Sequence, residues 1–140
     1  MLFKKILVPL DGSKNSIRGL DSAIYLARQT HATLTGIFVF PPTKSVFQPI
    51  RYDRKIMQKE GNRIMGKAKI RAAQKGIVFR NKITSGNPGQ EIINVVNSKR
   101  NKFDLVVIGS RGLGGAKELF LGSVANYVLH KSKIPVLVVK

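Results

Sequence analysis

The 140-residue sequence contains no cysteine and only seven acidic residues. Without cysteine there is neither a disulfide framework nor a thiolate metal site, a composition that fits a reducing interior. No uninterrupted apolar run approaches the roughly 20 residues of a helical membrane span. The opening "MLFKKILVPLDGS" is short and interrupted by Pro9, which argues against a signal peptide. A cytoplasmic protein is the expectation. Linkers, internal repeats and low-complexity stretches are also missing, so residues 1–140 are expected to form one domain.

Scarce acid leaves an excess of base. Twenty-five Lys and Arg give a formal net charge of +18. Such a field attracts polyanions such as nucleic acid, anionic membrane or phosphorylated ligands, although ionic adaptation or solubility would produce the same charge.

Residues 3–10, 33–40, 77–84, 103–108 and 135–139 are short, apolar and mostly β-branched. Several are nearly continuous rather than alternating, as in strands covered on both faces. Helical patterns lie between them. Ile17, Leu20, Ile24 and Ala27 recur at helical spacing behind Ser13 or Ser16 as N-cap. Asn87 can cap a later helix, with Pro88 in its first turn and Gln90 at capping-box spacing. A further helix begins near Ser123 and carries Val124 and Val128. The resulting β-α alternation predicts a parallel sheet with right-handed crossovers and helices on both faces. Ligands of such sheets sit beyond the carboxyl ends of the strands, where strand order reverses. "FPPTKSVFQPIRYD", residues 40–53, is the one long loop, and its three prolines favour extended structure.

The stretch "VVIGSRGLGGAKELFLGS", residues 106–123, follows the fourth apolar segment. It holds Gly109, Gly112, Gly114, Gly115 and Gly122. Glycines there let backbone amides approach a ligand closely, and the next helix offers unpaired N–H groups and a positive dipole end. Together they can cradle phosphate, helped by Arg111 and the Ser110 and Ser123 hydroxyls. A flexible loop closing a βα turn is the alternative. The spacing G-x2-G-x9-G-S, at Gly109, Gly112, Gly122 and Ser123, favours phosphate. Asp11, ending "ILVPLD", can meet a ribose hydroxyl or a metal, or serve as a turn or cap residue. Neither a Walker A sequence nor G-x-G-x-x-G follows the first strand, which disfavours those nucleotide folds.

With "ILVPLDGS", "GNP" at residues 86–88, "DLVVIGSRGLGG" and "LFLGSVANYVLHKSKIPVLVV", the chain resembles the universal stress protein family over essentially its whole length. The glycine spacing with its GS ending is characteristic of the ATP-binding branch. The resemblance implies a five-stranded parallel sheet of order 3-2-1-4-5, with ATP and Mg2+ across the ends of strands one and four. It places Asp11 near the ribose and metal, and Val39 against the adenine through its backbone. It gives Gly109, Gly112, Gly122 and Ser123 to the phosphates. Pro9, Arg111 and Val124 complete the expected cofactor-binding set. Phe38 stands where many members have His.

Catalytic groups are sparse. His31 and His130 fall at helix ends, where solvated or capping roles are common. Asp104 reads as a strand-entry residue, leaving Asp11 as the acidic candidate of the two site loops. Efficient phosphoryl transfer also requires nucleophile positioning and charge stabilisation. The expectation is a regulatory ATP-binding protein of stress or energy sensing, at most a weak ATPase.

Lys55, Lys59, Arg63, Lys67, Arg71 and Lys75 recur every fourth residue along a helix expected over residues 53–75. Met57, Gly61, Ile64, Met65, Ala68 and Ala72 should pack on the sheet, with most of the basic row opposite. Adjacent like charges at this spacing cost roughly 0.2–0.5 kcal/mol each in an isolated helix. A solvated face accounts for the row, and a polyanion contact is the alternative, without aromatics for base stacking.

Three functions compete: the ATP-binding regulator, a nucleic-acid or anionic-surface binder with a structural glycine loop, and a dimeric chaperone or adaptor. The final segment "KIPVLVVK" would lie at a sheet edge. Such an edge invites another strand, which predicts a homodimer about a two-fold axis unless Lys133 and Lys140 protect it.

Overall fold

The computed structural model describes residues 3–42, 53–111 and 121–140. Each apolar segment forms a strand: β1 (Lys5–Pro9), β2 (Thr33–Phe40), β3 (Phe79–Ser85), β4 (Leu105–Gly109) and β5 (Val136–Val139). Between them run α1 (Lys14–Thr30), α2 (Arg54–Ala73), α3 (Pro88–Asn97) and α4 (Ser123–Lys131). The five strands are parallel in the order β3-β2-β1-β4-β5.

The alternation of side chains in each strand divides the core into two layers. Ile6, Val8, Leu34, Phe38 and Val107 face α1 and α2, where they meet Leu20, Ile24, Met65 and Ala68. Leu7, Ile37, Val106 and Ile108 face α3 and α4, meeting Ile92, Val96 and Val128. The central strands β1, β2 and β4 are covered on both sides, which explains their nearly continuous apolar sequences.

Local signals set the helix starts. Ser13, not Ser16, caps α1, its hydroxyl accepting the Ser16 N–H at 3.1 Å. The turn before it requires Gly12, which has φ +87°. Asn87 caps α3 by accepting the Gln90 N–H at 3.1 Å, with Pro88 first in the helix. His31 ends α1 in the left-handed conformation at φ 59°.

Strand boundaries differ from the sequence expectation for identifiable reasons. Ile77 packs on the core yet does not enter β3, because its N–H donates to Ala72 C=O and closes the exit turn of α2. Phe103 is buried before β4 begins, following Lys102 at φ 56°. Asp104 accepts the Lys4 and Lys5 N–H groups at 2.8 and 3.1 Å, tying the entries of β1 and β4 together.

Along α2, Gly61, Ile64, Met65, Ala68 and Ala72 are buried, and Met57 is partly so. The two glycines of this helix have different surroundings. A Cβ on Gly61 would lie 2.7 Å from Phe38 Cδ1 and 3.1 Å from Ile83 Cδ1, whereas one on Gly66 would meet nothing within 4 Å. Arg63 pairs with Glu60, and its hydrogen bond holds the Glu60 carboxyl below the ordinary range. Arg71 pairs with Asp21 across to α1, with Nη2 2.8 Å from Oδ2.

Candidate functional site

A cavity of about 420 Å3 opens beyond the carboxyl ends of β1 and β4. Strand order reverses there, since β1 lies between β2 and β4 while the chain runs from β1 into β2. The volume is that of a small-molecule site.

Its floor and first wall come from the β1–α1 turn. Pro9, Leu10 and Asp11 end the strand, and Ser16 rises from the first turn of α1. Asp11 Oδ1 accepts the Ser13 N–H at 2.8 Å, so this carboxylate shapes the turn as well as lining the cavity. The turn role and the site position are therefore compatible.

The second wall is apolar. Ile37 and Val39 share a face of β2, and Pro88 and Ile92 stand one turn apart at the start of α3. Leu121 closes the rim and is 38% exposed. Phe38 points to the opposite face of the sheet, within the α1–α2 core. The departure at this position therefore leaves the cavity wall intact.

Backbone polarity at Val39 follows from the ladder. Thr33 N–H bonds Lys4 C=O, and Leu10 N–H bonds Ile37 C=O, both toward β1. Leu34 N–H bonds Val78 C=O, and Phe40 C=O accepts the Gly86 N–H, both toward β3. The alternation turns Val39 N–H and C=O toward the β1 side, past the Leu10–Ile37 bond and against the cavity.

The third wall is the start of α4. Gly122 is its N-cap and offers no side chain to its amides. The first intrahelical bond of the turn is Asn126 N–H to Gly122 C=O, at 2.9 Å. Ser123, Val124 and Ala125 precede it, so their N–H groups have no acceptor within the helix, and all three residues line the cavity. The Gly122 N–H itself is engaged, donating to Ser110 C=O at 2.7 Å. That bond fixes the α4 terminus to the end of β4.

Gly109 has a role that its motif did not reveal. A Cβ there would stand 2.5 Å from Asn15 C=O and 3.1 Å from Ser16 N, both in the first turn of α1. Gly19 meets Gly109 from the other side, with a Cβ 3.1 Å from Gly109 N. Two glycines thus let α1 seat directly on β4. Packing alone requires Gly109, even though it also lines the cavity.

Eight of the nine expected residues border this one cavity: Pro9, Asp11, Val39, Gly109, Arg111, Gly122, Ser123 and Val124. Gly112 lies outside the described residues. Ser110, expected to supply a hydroxyl, is buried at 7% exposure and is not among the lining residues. Neither His31 nor His130 lines the cavity. Sequence reasoning missed the apolar wall of Ile37, Pro88, Ile92 and Leu121. Its signals were the two-residue spacing of Ile37 and Val39 and the four-residue spacing of Pro88 and Ile92.

The family model of the universal stress protein family matches residues 2–140. The chain belongs to the universal stress protein family. Among its members, YxiE of Bacillus subtilis is 37% identical over 155 aligned positions, which cover 99% of this chain and all of that protein. The solved structure of MJ0577 from Methanocaldococcus jannaschii superposes with a TM-score of 0.86 at 28% identity, covering 100% of this chain and 97% of the other. A universal stress protein crystallised in complex with cAMP superposes at 0.78 with 25% identity, covering 100% and 99%. This universal stress protein therefore shares its whole length with a family in which an adenine nucleotide complex is known.

Proposed function

We propose that this chain is an ATP-binding regulatory protein that couples adenine nucleotide state to a stress response in the cytoplasm. The observation that carries this reading is the open start of α4, with the Ser123, Val124 and Ala125 amides on the same cavity as Asp11 and Arg111. Amides at a helix start, backed by the dipole, are suited to phosphate oxygens. The apolar wall of Ile37, Val39, Pro88 and Ile92 suits a flat base. Val39 N–H and C=O, turned to the open side of β2, suit the hydrogen-bonding edge of adenine. The cAMP complex of the related protein supports an adenine nucleotide in this family.

Mg2+ fits this site in one manner. Among the described residues Asp11 is the one carboxylate lining the cavity, and Mg2+ is commonly held by one or two carboxylates together with substrate phosphates and waters. Asp11 would hold it, and the ion would supply charge neutralisation at the phosphates. Among the described lining residues there is no histidine and no second acid to act as a base. Hydrolysis is accordingly slow or absent in this reading.

The protein also pairs through β5 in this proposal. That strand ends the sheet order, with Leu137 39% exposed and Val136, Val138 and Val139 half-buried. An apolar edge of this kind closes when a two-fold axis sets it against its copy.

Titration calorimetry with Mg-ATP tests the nucleotide reading. Saturable binding that Gly122→Val abolishes in a folded protein supports it. Unchanged affinity in that variant removes the α4 terminus from the site.

A further inference from the structure

We infer that the outer surface of α2 is a docking face for the phosphodiester backbone of a nucleic-acid duplex. The nucleotide cavity plays no part in this inference. Seven cations, at Arg54, Lys55, Lys59, Arg63, Lys67, Lys69 and Arg71, are all exposed on one helix. The row from Lys55 to Arg71 advances about 6 Å and turns about 40° at each four-residue step. It therefore crosses the outward surface obliquely over roughly 24 Å and reaches the α1 side at the Arg71–Asp21 pair.

Three acids stand near the row: Glu60 and Asp21 are matched by Arg63 and Arg71, and Asp53 caps the helix by accepting the Lys55 N–H at 2.9 Å. The excess positive charge thus rests on the lysines and on Arg54 at the helix start. A regularly charged polymer matches such a line of cations, since each duplex strand carries a phosphate about every 3.4 Å of axis.

Gly66 is the second, independent observation. A glycine inside a helix lowers its stability and normally has a packing reason. Gly61 has one, in Phe38 and Ile83, but a Cβ on Gly66 would meet nothing. Gly66 is exposed and lies between Asn62, Arg63, Lys69 and Ile70 at three- and four-residue spacings. A bare backbone in the middle of a cationic crest lets a partner approach closely.

Other anionic partners match less well. The apolar side of α2 is buried on the sheet, and its two exposed isoleucines, Ile56 and Ile70, are fourteen residues apart, so no continuous apolar strip remains to enter a lipid interface. No aromatic stands on α2 to stack unpaired bases, which favours duplex over single strand.

The test is fluorescence anisotropy of a labelled 20-base-pair duplex of mixed sequence, titrated with the full chain at several salt concentrations. Four phosphate contacts, from the four lysines, give a log–log salt slope near −3.6, or about a 150-fold loss of affinity between 50 and 200 mM salt. Lys59→Gln with Lys67→Gln should reduce the slope by about 1.8. The paired control, Lys99→Gln with Arg100→Gln, removes the same charge from an exposed turn between α3 and β4 and should leave the slope nearly unchanged. Equal effects of the two pairs would show only a general field and would overturn the docking face. Tighter binding to phosphatidylserine vesicles than to the duplex at equal salt would overturn it in favour of a membrane. Absence of duplex binding at 50 mM salt would also overturn it.

Discussion

Replacing each glycine of α2 by alanine in turn should change stability in opposite directions. In an exposed helix interior, alanine is favoured over glycine by about 0.8–1.0 kcal/mol. Gly66→Ala meets no atom within 4 Å, so it should keep that gain of about 1 kcal/mol. Gly61→Ala receives the same propensity gain but sets a methyl 2.7 Å from Phe38 Cδ1 and 3.1 Å from Ile83 Cδ1. Phe38 is buried in the core and Ile83 packs against it, and overpacking of this kind costs about 1–3 kcal/mol. The net result for Gly61→Ala is a loss of about 0–2 kcal/mol, leaving the two variants about 1–3 kcal/mol apart. Urea unfolding followed by far-ultraviolet circular dichroism reads this difference as a shift in midpoint at constant slope. Equal stabilisation by both substitutions would refute the seating of α2 on Phe38 and Ile83.

Asp11→Asn retains an oxygen to accept the Ser13 N–H while removing the charge. It should preserve stability and weaken nucleotide binding more with Mg2+ than without it, as calorimetry in the two conditions would show. Asp11→Ala should in addition lose the turn bond, at about 1–2 kcal/mol in urea unfolding. Single-turnover ATP hydrolysis should fall well below the 1–100 s⁻¹ typical of kinases, and a rate inside that range would expose a catalytic group absent from this account. Light scattering should give a dimer, twice the 15.5 kDa chain mass. Val138→Pro should shift it to monomer by removing a backbone donor at the edge. A native monomer at micromolar concentration would refute pairing through β5.

The architecture was readable because each strand and helix carries its own period. The nearly continuous apolar runs of β1, β2 and β4 gave the covered centre of the sheet, and Asn87-Pro88 and Ser13 marked helix starts through local hydrogen bonds. What could not be read depends on contacts between distant parts of the chain. Gly109 sits in a glycine motif, yet its close contact is with Asn15, on a helix far earlier in sequence. Ile77 and Phe103 look like strand residues because they are apolar, but turn bonds and a left-handed Lys102 delay β3 and β4. The site shows the same division. Asp11, Gly122 and Ser123 stand out by residue type, whereas Ile37 and Ile92 resemble any core residue until β2 and α3 bring them to one cavity.

The most direct test of the nucleotide assignment is calorimetric titration of the native chain with ATP and Mg2+, repeated with Gly122→Val. Gly122 has φ −61° and ψ 158°, a conformation open to other residues, so the variant should fold while its side chain crowds the α4 amides. The native protein should bind ATP at one saturable site per chain, and the variant should lose it. A folded native chain that binds no ATP, or a variant that binds it equally well, would contradict the assignment.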